Sequence, residues 1–80
     1  MKEEKVTQVL LATVARIFMK DTSELSRETR IIEDLQAKSV NIVEIIAVLQ
    51  NELGVEIPMA KLRRQKTIGA VIDYVVGLST

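Results

Sequence analysis

Apolar residues recur every three or four positions along most of this 80-residue chain, and this spacing restricts its fold more than any other feature. Residues spaced in this way lie on one side of an α-helix. The pattern therefore predicts an all-α fold, a small bundle of three main helices and one short helix. The predicted helices lie within residues 2–20, over Ser39–Leu53, over residues 59–65, and from Ile68 to a frayed end at Gly77.

Residues 21–38 lack a helical period and carry many side chains that favour turns, which predicts an ordered loop with a helical turn at most. Loops of this length are uncommon in compact domains and often have a function. Nothing in the chain resembles a linker, so residues 1–80 are interpreted as one domain. Four apolar residues are expected to attach the loop to the core: Leu25, Ile31, Ile32 and Leu35.

The second predicted helix is apolar nearly all round, with Glu44 as its only charged residue before the last turn. A second apolar stripe contains Val40, Val43 and Ala47. It is either further core or an exposed surface on which a partner docks, and the pattern leaves both possibilities open. The stripe predicted to face the core consists of Ile42, Ile45, Ile46, Leu49 and Leu53.

Several residues at the predicted helix ends are suited to capping. Ser39 begins the second helix, where a serine hydroxyl can accept a hydrogen bond from a first-turn amide. Gly54 follows this helix, at a position where a left-handed backbone is common. Thr67 is the predicted N-cap of the last helix.

The chain contains no cysteine and no histidine, which excludes disulfides, thiolate metal sites and histidine-based catalysis. It also lacks a glycine-rich phosphate-binding loop, so we predict that it is not an enzyme. Its 11 basic and 11 acidic residues cancel, which argues against nucleic-acid binding. The apolar run over residues 9–15 is too short to span a membrane. We expect a cytoplasmic monomer without membrane insertion.

Residues 35–41, Leu-Gln-Ala-Lys-Ser-Val-Asn, resemble the prosthetic-group site of acyl carrier proteins, where Leu-Gly-Ala-Asp-Ser-Leu-Asp is typical. The Glu-Ile-Pro turn over residues 56–58 and the Ile-Asp-Tyr ending over residues 72–74 add to the resemblance, which covers nearly the whole chain. The further similar segments are residues 43–46, 53–55 and 67–68.

The resemblance implies that Ser39 is covalently modified with 4'-phosphopantetheine from coenzyme A, so that the chain is a phosphoprotein. It implies that Lys38 and Val40 flank the group, and that acyl intermediates of lipid, fatty-acid, cell-envelope or polyketide-type biosynthesis are carried as thioesters. The implied partners are a phosphopantetheinyl transferase and the enzymes that load and transfer acyl groups. A phosphate at a helix N-terminus is independently favourable, because free amides and the helix dipole attract it.

The sequence departs from the family pattern mainly in its charges. Lys38 stands where the family usually has aspartate, and Asn41 stands where a second acid is common. Four basic residues crowd a segment, residues 61–66, that the family often makes acidic. Because charge complementarity affects partner choice, we expect a specialised carrier with its own enzymes. The predicted partner-binding residues are Val40, Val43, Glu44, Ala47, Arg63 and Arg64.

Two alternatives remain open at this stage. The chain could be an unmodified interaction module that keeps the carrier fold and docks through its second helix. The basic segment over residues 61–66 could be a solvated surface, a contact for an acidic partner or a nucleic-acid contact. No aromatic stacking platform supports the last of these, since Phe18 and Tyr74 are the only aromatic residues.

Overall fold

Four α-helices follow one another in the computed structural model, which describes residues 2–78. The all-α prediction is confirmed: this part of the chain contains no β-strand, only an isolated bridge between Arg30 and Thr67. The helices are α1 (Glu3–Phe18), α2 (Ser39–Leu53), the short α3 (Met59–Arg63) and α4 (Ile68–Leu78), with a single 3₁₀ turn at Thr22–Glu24 between α1 and α2.

The core is almost entirely aliphatic and lies where α1 packs against both α2 and α4, with α3 packed on α2. Full burial of each such side chain stabilises the fold by roughly 1.5–3 kcal/mol. The most deeply buried side chains come from all four helices: Val6, Leu10, Val14, Ile45, Leu49, Leu62, Ile68, Val71, Ile72 and Val75.

The helix ends differ slightly from the predicted ones. The third helix stops at Arg63 because the amides of Arg64 and Gln65 donate to carbonyls three residues earlier, at 3.3 and 2.9 Å, and so form a tighter turn. The predicted fraying at Gly77 is wrong, since α4 continues to Leu78. The predicted role of Thr67 is correct: its hydroxyl accepts the amide of Ala70 at 3.1 Å.

The loop between α1 and α2 is attached to the start of α4 by backbone hydrogen bonds. The amide of Gly69 donates to the carbonyl of Arg27 at 2.8 Å, and that of Ile68 donates to Thr29 at 3.0 Å. The Arg27 side chain then reaches Asp73, with both carboxylate oxygens 2.9 Å from Nη2. Thr67 can accept only one amide of the first turn of α4, and the loop supplies acceptors for two more.

Within this loop, the predicted attachment to the core is right for most of its apolar residues. Ile31 is buried, and Leu25 and Leu35 are partly buried against the core. Ile32 is an exception, because its side chain is 45% exposed. Ile31 occupies the inward position, so its chain neighbour points away from the core.

Candidate functional site

Ser39 is the first residue of α2, and its side chain is exposed at the tip of the helix. The prediction that Ser39 caps the helix is wrong, because Lys38 has the extended backbone of an N-cap residue (φ −104°, ψ 170°). Capping comes instead from Asn41, whose Oδ1 accepts the Lys38 amide at 2.8 Å. The Ser39 hydroxyl forms no hydrogen bond with any residue from 2 to 78 and is free for chemistry.

The N-terminus of α2 is suited to an anion. The amides of Ser39 and Val40 have no acceptor within the described part of the chain, and the first turn carries no acidic residue. Lys38 is exposed next to them and forms no ion pair with residues 2–78. Free amides, the positive end of the helix dipole and a lysine would together stabilise a phosphate attached at Ser39. The residues present therefore fit a phosphate-linked group.

The position of Ser39 depends on the turn that precedes it. The buried Ile31 donates its amide to the carbonyl of Lys66 at 3.0 Å and accepts the amide of Ala37 at 3.3 Å. Gln36 makes the turn with a left-handed backbone, at φ 56°. The chain thus arrives at Ser39 from a segment held against the connection between α3 and α4.

Sequence reasoning missed the special role of Gln36. Glutamine is not a residue type that signals a left-handed conformation, in contrast to glycine or asparagine. The available signal was the glycine that acyl carrier proteins typically have at this place.

Burial resolves the question left open for the second apolar stripe of α2. Val40 is 68% exposed, Val43 is 52% exposed and Ala47 is also exposed, so the stripe is not core. We call the surface made by Val40, Val43, Glu44 and Ala47 the exposed α2 face. It begins one residue after Ser39 and is an apolar surface of the kind that mediates protein contacts.

Glu44, in the middle of the exposed α2 face, forms an ion pair with Arg16 of α1. Nη1 of Arg16 lies 3.4 Å from Oε2 of Glu44, and both side chains remain about half exposed. Arg16 was not predicted as a site residue, because its approach to Glu44 depends on how α1 packs against α2. No periodicity within either helix gives that register.

Arg63 and Arg64 lie at the end of α3 and in the turn after it, and both are exposed. Their side chains form no hydrogen bond or ion pair with the described residues, and neither reaches Ser39. Their link to α2 is indirect: α3 packs on α2, with Leu62 of α3 buried in the core.

The shifted pKa values lie in the loops rather than at Ser39. The backbone amide of Arg30 and then its guanidinium lower the pKa of Asp34 below its ordinary value of 3.8. The Ser23 amide likewise lowers the pKa of Asp21. Hydrogen bonds and charge from Asp34 raise the pKa of Arg30, and those from Asp73 raise that of Arg27. These groups stabilise the loop, and none of them lies beside the Ser39 hydroxyl.

The described residues include no group of three or more acidic, histidine or cysteine side chains placed to hold a metal ion. None of the helices over residues 2–78 is long and apolar enough to cross a membrane. The site thus consists of an exposed serine at a helix tip beside an exposed apolar face.

Comparison with known proteins identifies the family. Residues 8–75 match the family model described as the phosphopantetheine attachment site. The acyl carrier proteins of Rickettsia canadensis and Rickettsia rickettsii are each 35% identical to this chain over 72 residues, which is 90% of this chain and 84% of theirs. That of Rickettsia prowazekii is 33% identical over the same length.

The chain belongs to the acyl carrier protein family. Its prosthetic group is 4'-phosphopantetheine, and it is a carrier protein rather than an enzyme. The match covers α2 and most of α1 and α4, so it includes every element that positions the site.

Proposed function

We propose that Ser39 is the attachment point of the prosthetic group and that residues 1–80 act as one carrier domain. The observation that carries this proposal is the free hydroxyl of Ser39. It is exposed at a helix tip, and the side-chain hydrogen bond at this helix end is made by Asn41, which accepts the Lys38 amide. When attached, 4'-phosphopantetheine supplies a thiol that holds acyl groups as thioesters, which this cysteine-free chain cannot do by itself.

The attachment reaction is carried out by a separate transferase with coenzyme A as the donor. The bond between Ser39 Oγ and the phosphorus of the pantetheine phosphate forms, and the pyrophosphate bond of coenzyme A breaks. Adenosine 3',5'-bisphosphate leaves, and the serine proton passes to a base of the transferase. Lys38 and the amides of Ser39 and Val40 are the groups of this chain that favour the resulting phosphodiester charge.

The partners proposed for the carrier are a phosphopantetheinyl transferase and the enzymes that load and transfer acyl groups. The exposed α2 face supports their docking next to Ser39, because its apolar side chains are exposed within the first three turns of the same helix. The cargo belongs to lipid, fatty-acid, cell-envelope or polyketide-type biosynthesis. The basic residues Lys38, Arg63 and Arg64 support a specialised pathway with dedicated enzymes. We further propose that the carrier is monomeric and works in the cytoplasm.

The test is the intact mass of the purified protein after incubation with coenzyme A, Mg²⁺ and a transferase of broad specificity. We expect one phosphopantetheine per chain, absent in Ser39→Ala and retained in the control Ser26→Ala. The stability of Ser39→Ala should match that of the wild type within about 0.5 kcal/mol, because the hydroxyl makes no hydrogen bond with residues 2–78. Addition that persists in Ser39→Ala contradicts the assignment of this serine.

Docking is tested by the kinetics of the same modification. Val43→Asn should lower kcat/KM for the carrier, whereas Met19→Gln, which removes an exposed apolar side chain after α1, should not. If no transferase, including that of the source organism, modifies the wild-type chain, the protein is instead an unmodified interaction module that docks through α2.

A further inference from the structure

We propose that the surface around Ser39 selects partners whose contacting face is acidic, and that Arg16 contributes to this selection by neutralising Glu44. The inference rests on the proposed function, since it concerns the enzymes that approach Ser39. It adds a specificity-determining residue, Arg16, and a stated chemistry for the partner.

The first observation concerns the single acid of the exposed α2 face. Glu44 is the only charged residue between Val40 and Gln50 of α2, and its carboxylate is already paired with Arg16 at 3.4 Å. A basic residue of a partner would have to displace Arg16 before it could pair with Glu44. The exposed α2 face therefore presents no uncompensated negative charge, and Arg16 adds its own half-exposed guanidinium to the edge of that face.

The second observation is an unequal distribution of ion pairs along the chain. Four cations form ion pairs with described residues, and all lie in α1 or in the loop that follows it: Arg16, Lys20, Arg27 and Arg30. From residue 38 to residue 66 the chain carries five cations, and none of them forms an ion pair within residues 2–78. These unpaired cations are Lys38, Lys61, Arg63, Arg64 and Lys66.

The third observation links two of these cations to the segment around Ser39 and the other three to the helix that carries it. Lys38 precedes the serine directly. Lys66 accepts the amide of Ile31, which in turn accepts the amide of Ala37, two residues before Ser39. Lys61, Arg63 and Arg64 lie in or directly after α3, which packs on α2. A protein that approaches Ser39 therefore meets an apolar face with unpaired positive charge on the elements beside it.

Complementary charge determines which partners associate quickly and which are rejected. A partner with a basic docking face meets Lys38 and finds Glu44 occupied, so it is repelled. A partner with acidic side chains around an apolar centre can contact both the exposed α2 face and the unpaired cations. A nucleic acid would use the cations but not the exposed valines, so the structure favours a protein.

The experiment measures KM and kcat for Ser39 modification with two forms of one transferase: the natural form with a basic carrier-binding face, and a form with that face changed to acidic residues. With the basic form, Arg16→Gln should lower KM by about twofold to fivefold at unchanged kcat, because exposed ion pairs of this kind are worth about 0.2–1 kcal/mol. The triple variant Lys61→Gln, Arg63→Gln, Arg64→Gln should lower KM further. With the acidic form, both changes should raise KM.

The matched control is Lys20→Gln, which removes the same charge just after α1 but from a residue that pairs with Glu24, away from α2. It should leave KM unchanged. In a Glu44→Gln background, Arg16→Gln should lose most of its effect with the basic form, because Arg16 then has no carboxylate to release. Raising the salt concentration to 0.5 M should reduce all these differences.

Equal effects of Arg16→Gln and Lys20→Gln would overturn the proposal, since net charge alone would then explain them. KM values that do not differ between the two transferase forms would also overturn it, as would salt-sensitive oligonucleotide binding that is lost in the triple variant. The two outcomes measured as KM require that Ser39 be modified, whereas the oligonucleotide outcome does not. A wild-type chain that gains no mass would instead contradict the proposed function.

Discussion

The side-chain oxygen of Asn41 lies 2.8 Å from the backbone nitrogen of Lys38 and accepts its hydrogen bond. This bond caps α2 from inside the helix, three residues after the N-cap, in the manner of one half of a capping box. Capping the helix and presenting a free hydroxyl are therefore assigned to two different residues. Asn41 stabilises the helix, and Ser39 is left exposed.

Removing this cap should destabilise the protein. Asn41→Ala loses a hydrogen bond but gains some helix propensity, and we expect the free energy of unfolding to fall by about 0.5–1 kcal/mol. Asn41→Asp keeps the acceptor and adds a negative charge at the positive end of α2, so it should be more stable than the wild type. Urea denaturation measures both. Asn51→Ala, in the last turn of α2, is the control and should not destabilise; equal losses at both asparagines would contradict the capping role.

The left-handed backbone at Gln36 predicts a stabilising substitution. A residue with a Cβ atom in this conformation is strained by roughly 1–2 kcal/mol, and glycine is not, although glycine also gains entropy in the unfolded chain. Gln36→Gly should therefore raise the free energy of unfolding by up to about 1 kcal/mol. Gln50→Gly makes the same change inside α2 and should lower stability by about 1 kcal/mol. Thermal melts that shift in the same direction for both variants would disprove the assignment of strain to Gln36.

Two glycines of α4 should respond in opposite ways to alanine. A Cβ atom at Gly69 would lie 3.0 Å from both the Cβ and the carbonyl oxygen of Arg27, and that oxygen is held there by the Gly69 amide. A Cβ atom at Gly77 would contact nothing within 4 Å. Gly69→Ala should thus destabilise by about 1–3 kcal/mol through overpacking, whereas Gly77→Ala should stabilise by up to about 1 kcal/mol. Chemical denaturation of the two variants under one set of conditions checks this contrast, and a stabilised Gly69→Ala would contradict the close approach of Arg27.

Asp34 should make stability depend on pH in the acid range. Its pKa is held below the ordinary value of 3.8 in the folded protein, so unfolding takes up a proton near that value. The contribution of Asp34 is therefore fully present well above pH 3.8 and is lost as the pH falls through the lower folded-state pKa. In Asp34→Asn the free energy of unfolding should fall less steeply between pH 5 and pH 3 than in the wild type.

The matched control for this measurement is Glu52→Gln, since Glu52 forms no ion pair with residues 2–78. If Asp34→Asn and Glu52→Gln flatten the pH dependence equally, the hydrogen bonds from Arg30 do not lower the pKa of Asp34.

The helices could be predicted from sequence because the spacing of aliphatic residues is a local property. The exposure of Val40 and Val43 could not be predicted, since an apolar stripe has the same pattern whether or not another element covers it. The partner of Glu44 was equally hidden, because it lies 28 residues away on a helix whose packing register no local pattern contains. At Ser39 the predicted capping role was wrong, because Asn41 forms the hydrogen bond at this helix end from another position. The modification of Ser39 stays a prediction.

The hydrogen bonds from Ile68 and Gly69 to the loop have a consequence for how the chain acquires its structure. In the first turn of α4, the amides of Ile68 and Gly69 find their acceptors in a segment about 40 residues earlier in the chain. Closing so long a stretch is slow compared with forming a helix, so we expect the first turn of α4 to become fully ordered together with the loop. The approach to Ser39 runs through that same loop, so a local opening near Arg27 would loosen both Ser39 and the start of the final helix.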